Sequence, residues 1–194
     1  MHRRTLIISG LLLVLALPIC ASQFIELPFE TVATESQYVV RGTIGQTWSA
    51  WDDAHEVIYT YATVRVTRYF GETAGPDTLL VREVGGTVDG YTQEAIGFPA
   101  IREGEDVVLM LAKWDDGADF RIHAFNQGKY LVRDRGGVET LVADPVRQGE
   151  GRVSGRGVRA NAADDAPGLG IDEFAQMVQD ARAGGRNVER RERQ

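Results

Sequence analysis

Residues 57 to 70 read VIYTYATVRVTRYF, and this run restricts the chain to few architectures. Ile58, Thr60, Ala62, Val64 and Val66 alternate with Val57, Tyr59, Tyr61, Thr63, Arg65 and Thr67. The first set is core-like and the second is aromatic and polar. The period is therefore two, which marks a strand with one face in a core. At fourteen residues the run is long for one strand. Such a strand can bend and serve two sides of a small barrel.

Further strands are expected at 38–44, 78–84, 106–111, 120–124 and 128–133, with a short one at 138–142. Turn chemistry separates them. The segment from Gly71 to Asp77 holds Gly, Pro and Asp, Gly85-Gly86 stops the third strand, and Asp115-Asp116-Gly117 parts Leu111 from Phe120. Asp134-Arg135-Gly136-Gly137 reads as a hairpin loop. Between Gly85 and Gly104 the alternation fades, and Gly90, Gly97 and Pro99 predict an ordered loop across the barrel face or mouth. Gly42, Gly71, Gly85, Gly86, Gly104 and Gly128 are expected at bulges and turns.

From residue 143 to 170 the composition shifts to Gly, Arg, Asp, Asn and Ala, which reads as a flexible linker. Ile171, Phe174, Ala175, Val178 and Ala181 then define the apolar stripe of a helix over 171–183. Asp172 and Glu173 suit its N-terminal end, and Gly184-Gly185 is expected to stop it. The stripe must dock, on its own barrel or on a neighbour. Residues 184–194 read as a basic disordered tail, and the barrel domain is placed at 33–142.

The first 22 residues have the form of a secretory signal: a basic start (His2-Arg3-Arg4), an apolar stretch from Leu6 to Leu17, then small residues at Ala21 and Ser22. The expected destination is periplasmic or extracellular. The twin-arginine pattern is incomplete around Arg3-Arg4. Lipid anchoring at Cys20 would need a small residue before it, where bulky Ile19 stands. Cys20 is the only cysteine, so cleavage would leave a chain with no thiol chemistry and no disulfide. No transmembrane segment is expected in the mature chain.

The full chain carries 21 Lys and Arg against 28 Asp and Glu. Residues 23 to 180 carry 14 cationic and 26 acidic side chains, a balance of −12. A body this acidic repels phosphate backbones, so nucleic-acid binding is not expected.

The order of short motifs adds a resemblance. Val39-Val40-Arg41-Gly42-Thr43-Ile44 leads to Trp51 and then to Val57-Ile58-Tyr59-Thr60-Tyr61. Tyr69-Phe70-Gly71, Gly85-Gly86, Gly97-Phe98-Pro99, Gly104-Glu105-Asp106 and Asn126-Gln127-Gly128-Lys129-Tyr130 follow. Over about residues 33–133 the series resembles a family of exported bacterial proteins of unknown function. It is also similar to the netrin-type domain of tissue inhibitors of metalloproteinases, a five-stranded oligonucleotide/oligosaccharide-binding (OB) barrel. The resemblance implies a mainly β fold: a small five- to six-stranded OB-like barrel with a C-terminal α-helix. Those inhibitors chelate zinc through an N-terminal cysteine and carry disulfides. A mature chain without cysteine offers neither, so the zinc-chelating role does not carry over.

Candidate chemistry is sparse. His55 and His123 have no metal-ligand spacing, and no metal or cofactor is expected. Asp52-Asp53 and Asp115-Asp116-Gly117 are ordinary turn sequences. No serine lies in a Gly-x-Ser-x-Gly setting. Gln127-Gly128-Lys129 could serve recognition, although a backbone need for Gly128 explains it equally. No catalytic residue is assigned. Trp48, Trp51, Tyr59 and Tyr61 cluster around one hairpin and form the candidate binding face, with core filling as the competing explanation.

Three functions stay open. The first is a secreted or periplasmic non-enzymatic binding module for an exported protein, with protease regulation implied by the inhibitor resemblance. The second is a divergent hydrolase pairing Asp53 with His55 or Asp116 with His123. The third is an envelope structural protein whose helix presents Phe174 and Val178 to a neighbour.

Overall fold

A computed structural model of the chain describes residues 26–71, 74–117, 119–144 and 168–192, with side chains as far as residue 185. The expected leader and most of the expected linker, 145–167, lie outside those residues. Helix α1 (Phe29–Glu35) leads into strand β1 (Tyr38–Trp51). Strands β2 (Ile58–Tyr69) and β3 (Thr78–Val84) continue an antiparallel meander. A small hairpin follows, β4 (Gly86–Val88) with β5 (Tyr91–Gln93). Then come β6 (Asp106–Lys113), β7 (Phe120–Ile122), a 3-10 turn (Phe125–Gly128), β8 (Lys129–Asp134) and β9 (Glu139–Ala143). Strand β10 (Leu169–Gly170) adds to β9 and runs into helix α2 (Ile171–Glu192).

Five strands close a barrel in the order β1-β2-β3-β7-β6, with β6 returning to pair with β1. The β3–β7 pairing is parallel and the others are antiparallel. Read along the chain this is the OB-like order, first, second, third, fifth, fourth. Strands β8, β9 and β10 extend the sheet outward from β6. The fold is mainly β with a C-terminal helix, as the alternation and turn signals predict.

Strand β1 serves two sides of the barrel because it bends. Its register against β2 shifts between Arg41 and Gly42 and again between Ile44 and Thr47. Gly42 is required at the first shift, because a Cβ there would lie 2.5 Å from the Arg65 carbonyl oxygen.

Two apolar layers result. Inside the barrel, Val40, Ile44, Ala62, Val64, Leu79, Val81, Val107, Leu109, Leu111, Phe120, Ile122 and Leu131 interlock. Outside it, Val39, Val108, Met110, Val132 and Leu141 pack against α1 and α2 through Val32, Ala33, Phe174, Ala175, Val178 and Ala181. Strand β6 contributes to both layers, so every residue from Val107 to Leu111 is buried. That double burial is why its sequence shows no alternation.

The structure corrects several sequence expectations. The predicted linker start belongs to the folded body: Ala143 ends β9, Asp144 is buried, and 169–170 form a strand. Helix α2 does not stop at Gly184-Gly185 but continues to Glu192, so the predicted disordered tail is helical over most of its length. Gly185 serves packing instead, since a Cβ there would lie 2.8 Å from Thr34 Cγ2 of α1. The segment 120–124 is a strand only to Ile122. Helix α1 and the β4–β5 hairpin were not predicted. Among the described residues, no helix is long and apolar enough to cross a membrane.

Candidate functional site

The two helices cover the outside of the barrel along β1, β6 and β8. Among the described residues no helix covers the outside of the β2–β3 half, and the aromatic residues collect there. Register places Trp48 opposite Tyr61, Ala50 opposite Tyr59, and Tyr61 opposite Arg82. Side chains alternate along strands, so Trp48, Tyr59, Tyr61 and Arg82 share the outer face. The Trp48 and Tyr61 rings stack nearly parallel, with centroids 5.4 Å apart and an interplanar angle of 7°. Trp48 remains 40% exposed.

The ladder continues from Tyr59. Its ring meets Trp114 edge-on at 5.7 Å. The Arg82 guanidinium lies 4.8 Å from the Tyr59 centroid and 5.0 Å from that of Trp114. Trp114 is fixed by its own indole N–H, which donates to the Arg82 carbonyl at 2.9 Å. Asp116 makes a short ion pair with Arg82, and Asp119 stands 3.8 Å from Arg82 Nε. On the far side, the Arg121 guanidinium lies 5.5 Å from the Trp114 centroid. The loop joining β6 to β7 thereby becomes part of the strand face.

Trp51 does not join this face. It pairs with Ile58, one residue out of phase with Ala50 and Tyr59, so it points to the other side of the sheet. There it stacks on His55 at 6.2 Å and meets Tyr91 of the hairpin at 6.1 Å. The four-residue candidate face therefore divides into Trp48, Tyr59 and Tyr61 on one side and Trp51 on the other. Arg82 and Trp114 belong to the face but were missed as its members. Trp114 had a signal in sequence, an aromatic in a turn between two strands.

The other candidates occupy structural positions. His123 Nε2 lies 3.1 Å from Glu35 of α1, and Asp116 pairs with Arg82, so Asp116 and His123 are not brought together. Asp53 and His55 sit on an exposed turn. The neighbouring Asp52 carboxylate accepts the backbone N–H groups of Val57 (3.1 Å) and Glu56 (2.7 Å), and these bonds hold it below the usual carboxylate range. Phe174 and Val178 are fully buried on the chain's own barrel, against the structural-protein expectation. Among the described residues, no group of His, Cys, Asp and Glu could hold a metal ion. Gln127 accepts the Leu27 N–H at 2.9 Å. Lys129 is fully buried, with its ammonium 2.6 Å from Glu105 and 3.2 Å from Asp144. Gly128 has no room for a Cβ, which would fall 2.2 Å from the His123 carbonyl oxygen. The Gln127-Gly128-Lys129 segment is accordingly a structural joint.

A second feature lies on the inward side of the same strands. A cavity of about 610 Å³ opens at the barrel mouth beneath the segment from Gly85 to Arg102. Thr60, Glu83 and Val84 form its strand wall, while Gln93, Ala95, Ile96, Phe98, Pro99 and Ile101 line the loop side. Glu83 is 2% exposed, and its Oε1 accepts the Ile122 backbone N–H where the β3–β7 pairing has ended. Burial raises the Glu83 carboxyl from its ordinary value of 4.5 to about 8, against the opposing effects of that hydrogen bond and the Arg121 charge.

A pH prediction follows from that shift. The folded protein holds this proton more tightly than the unfolded chain does between pH 4.5 and about 8. The Glu83 contribution is therefore fully present below 4.5, declines as pH rises, and is gone above about 8. Its slope within the window is at most ~1.4 kcal/mol per pH unit. Urea midpoints measured from pH 5 to 9 should show this decline in the wild type and lack it in Glu83→Gln. Identical profiles for the two proteins would refute the assignment.

No protein-family model matches the chain, and neither a curated protein nor a solved structure matches it.

Proposed function

We propose that the chain is an exported, non-enzymatic module that binds another exported protein through the open half of its barrel. The observation that carries this reading is the Trp48–Tyr61 stack, two parallel rings on paired strand positions with Trp48 partly exposed to solvent. Large aromatics and arginine dominate the energetic centres of protein interfaces, and here both are already ordered by their neighbours. Preorganised side chains lose less entropy on binding. OB-like barrels bind through the face of their second and third strands and the adjoining loops, which is where Tyr59, Tyr61, Arg82 and Trp114 lie. The netrin-type resemblance adds an exported protease as the partner class, by a mode other than cysteine chelation of zinc. The leader-like first 22 residues support the compartment.

The test is a paired binding measurement. Proteins retained from envelope extract by the mature protein are purified singly and titrated against wild type and Trp48→Ala/Tyr61→Ala. One purified partner should bind the wild type and lose about 30-fold or more in affinity for the double variant, as expected for interface hot spots. The variant should unfold close to the wild-type midpoint, since the exposed stack contributes little to the cores. Equal affinity for both proteins would remove the interface from this face.

A further inference from the structure

We infer that the barrel-mouth cavity is a second binding site, separate from the aromatic face, for an organic ammonium carried on a short apolar chain. The volume, about 610 Å³, falls within the range of small-molecule sites. Its walls have the composition such a ligand needs. Ala95, Ile96, Phe98, Pro99 and Ile101 provide an apolar side, and Glu83 belongs to the opposite wall. Among the described residues, no cationic side chain lies within ion-pair distance of Glu83.

That isolation is unusual. A buried carboxyl with no cationic partner costs stability unless it keeps its proton or receives a cation. The other buried acid clusters here are neutralised from within, Glu105 and Asp144 by Lys129. Among the described buried acids, Glu83 is the one that belongs to the wall of this cavity. The surrounding charge favours a cation. The balance of residues 23–180 is −12, Glu94 lines the rim, and the rim guanidinium of Arg102 is engaged by Glu105 at 3.0 Å. The remaining charge near Glu83 is Arg121, which lies on the outer face beside Trp114.

The wall is also anchored. The Lys129 ammonium donates to the Ala100 carbonyl at 2.5 Å, which holds the Pro99–Ile101 stretch against the barrel. Gly85 and Gly86 have φ of 107° and 142°, and a Cβ on Gly86 would lie 2.5 Å from Ser49 Oγ. The hairpin thus turns over the barrel end without side chains filling the space beneath it.

Entry of the ammonium would convert a neutral acid into one half of an ion pair. The Glu83 proton leaves to solvent as R–NH3+ takes its place beside the carboxylate. The same head group could arrive on a free amine or on a lysine of a docked peptide, and two probes separate these sources. The full mature protein would be titrated with n-hexylammonium, with 1-hexanol as the uncharged match, and with a capped lysine-containing pentapeptide. Calorimetry in two buffers of different ionisation enthalpy reads the proton count at pH 7.

Saturable hexylammonium binding is expected, with net proton release and about tenfold or greater weakening in Glu83→Gln. Glutamine can still accept the Ile122 N–H, so that variant should fold, and its urea midpoint at pH 5 checks this. Hexanol should bind at least tenfold more weakly than the ammonium. Tighter binding of the peptide than of the free amine identifies a protein side chain as the source, and the reverse identifies a free amine. Absence of saturable binding by both cations, equal binding of hexanol, or an undiminished affinity in Glu83→Gln would overturn the inference. None of these outcomes depends on the Trp48–Tyr61 face.

Discussion

Replacing Lys129 with alanine should destabilise the protein by about 3–5 kcal/mol, the effect of removing one partner from a buried charge cluster. The side chain is completely buried, and the acids it neutralises are nearly so. Burial by itself would raise the Glu105 carboxyl, but the contacts from Lys129 and Arg102 outweigh it and hold it below the ordinary carboxylate range. Without the ammonium, Asp144 would lose its ion-pair partner and Glu105 would keep only Arg102 at the rim. The anchor on the Ala100 carbonyl would go as well, freeing the stretch over the cavity. Urea unfolding monitored by tryptophan fluorescence measures the loss. The Lys129→Ala/Glu105→Gln double variant should recover part of it, because one stranded charge is removed. A loss under 1 kcal/mol would mean that water reaches the carboxylates and the cluster contributes little.

Phe174→Ala should have an effect of similar size, about 3–5 kcal/mol. The ring is fully buried and touches three separate elements edge-on: Phe29 of α1 at 5.6 Å, Phe70 after β2 at 5.4 Å, and Tyr130 of β8 at 5.4 Å. Its removal opens a cavity where helix and barrel join, and it forfeits three aromatic contacts. Phe174→Leu should lose distinctly less, since most of the volume returns. Thermal melts of both variants check the order. A smaller loss for alanine than for leucine would show that α2 is not seated as described.

The sequence made the barrel legible because period-two alternation is a local property. Ile58, Ala62 and Val64 could be assigned inward and Tyr59 and Tyr61 outward from spacing alone, and the register agrees. Helix α1 was harder. Seven residues with only Val32 and Ala33 buried make too short a stripe to detect. Strand β10 is two residues long and exists through its pairing with Leu141 and Thr140. The glycines at 184 and 185 look like a helix stop until Thr34 is seen against one of them.

The site was half legible for the same reason. Trp48 and Trp51 look like a pair in sequence, but three steps along a strand is an odd number, so the two rings face opposite ways. Arg82 and Trp114 are 32 positions apart and meet only because β3 and the β6–β7 loop converge. Glu83 shares the inward phase of Leu79 and Val81 in TLLVREV, but its acceptor role depends on the Ile122 N–H left free where the β3–β7 pairing ends, which no local pattern shows.

The double burial of β6 has a consequence for how the molecule assembles. Val107, Leu109 and Leu111 face the barrel interior, while Val108 and Met110 face the helices. Neither layer can melt alone without wetting one side of this strand, so barrel and helix layer should unfold as one cooperative unit. The same coupling acts during synthesis. Until residues 171–185 have been made, α1 alone of the two helices is there to cover the outer layer, and an unfinished chain keeps part of that apolar layer bare, a surface of the kind that self-associates. Completion of α2 is thus the step that closes the outer layer, well after the barrel sequence itself is available.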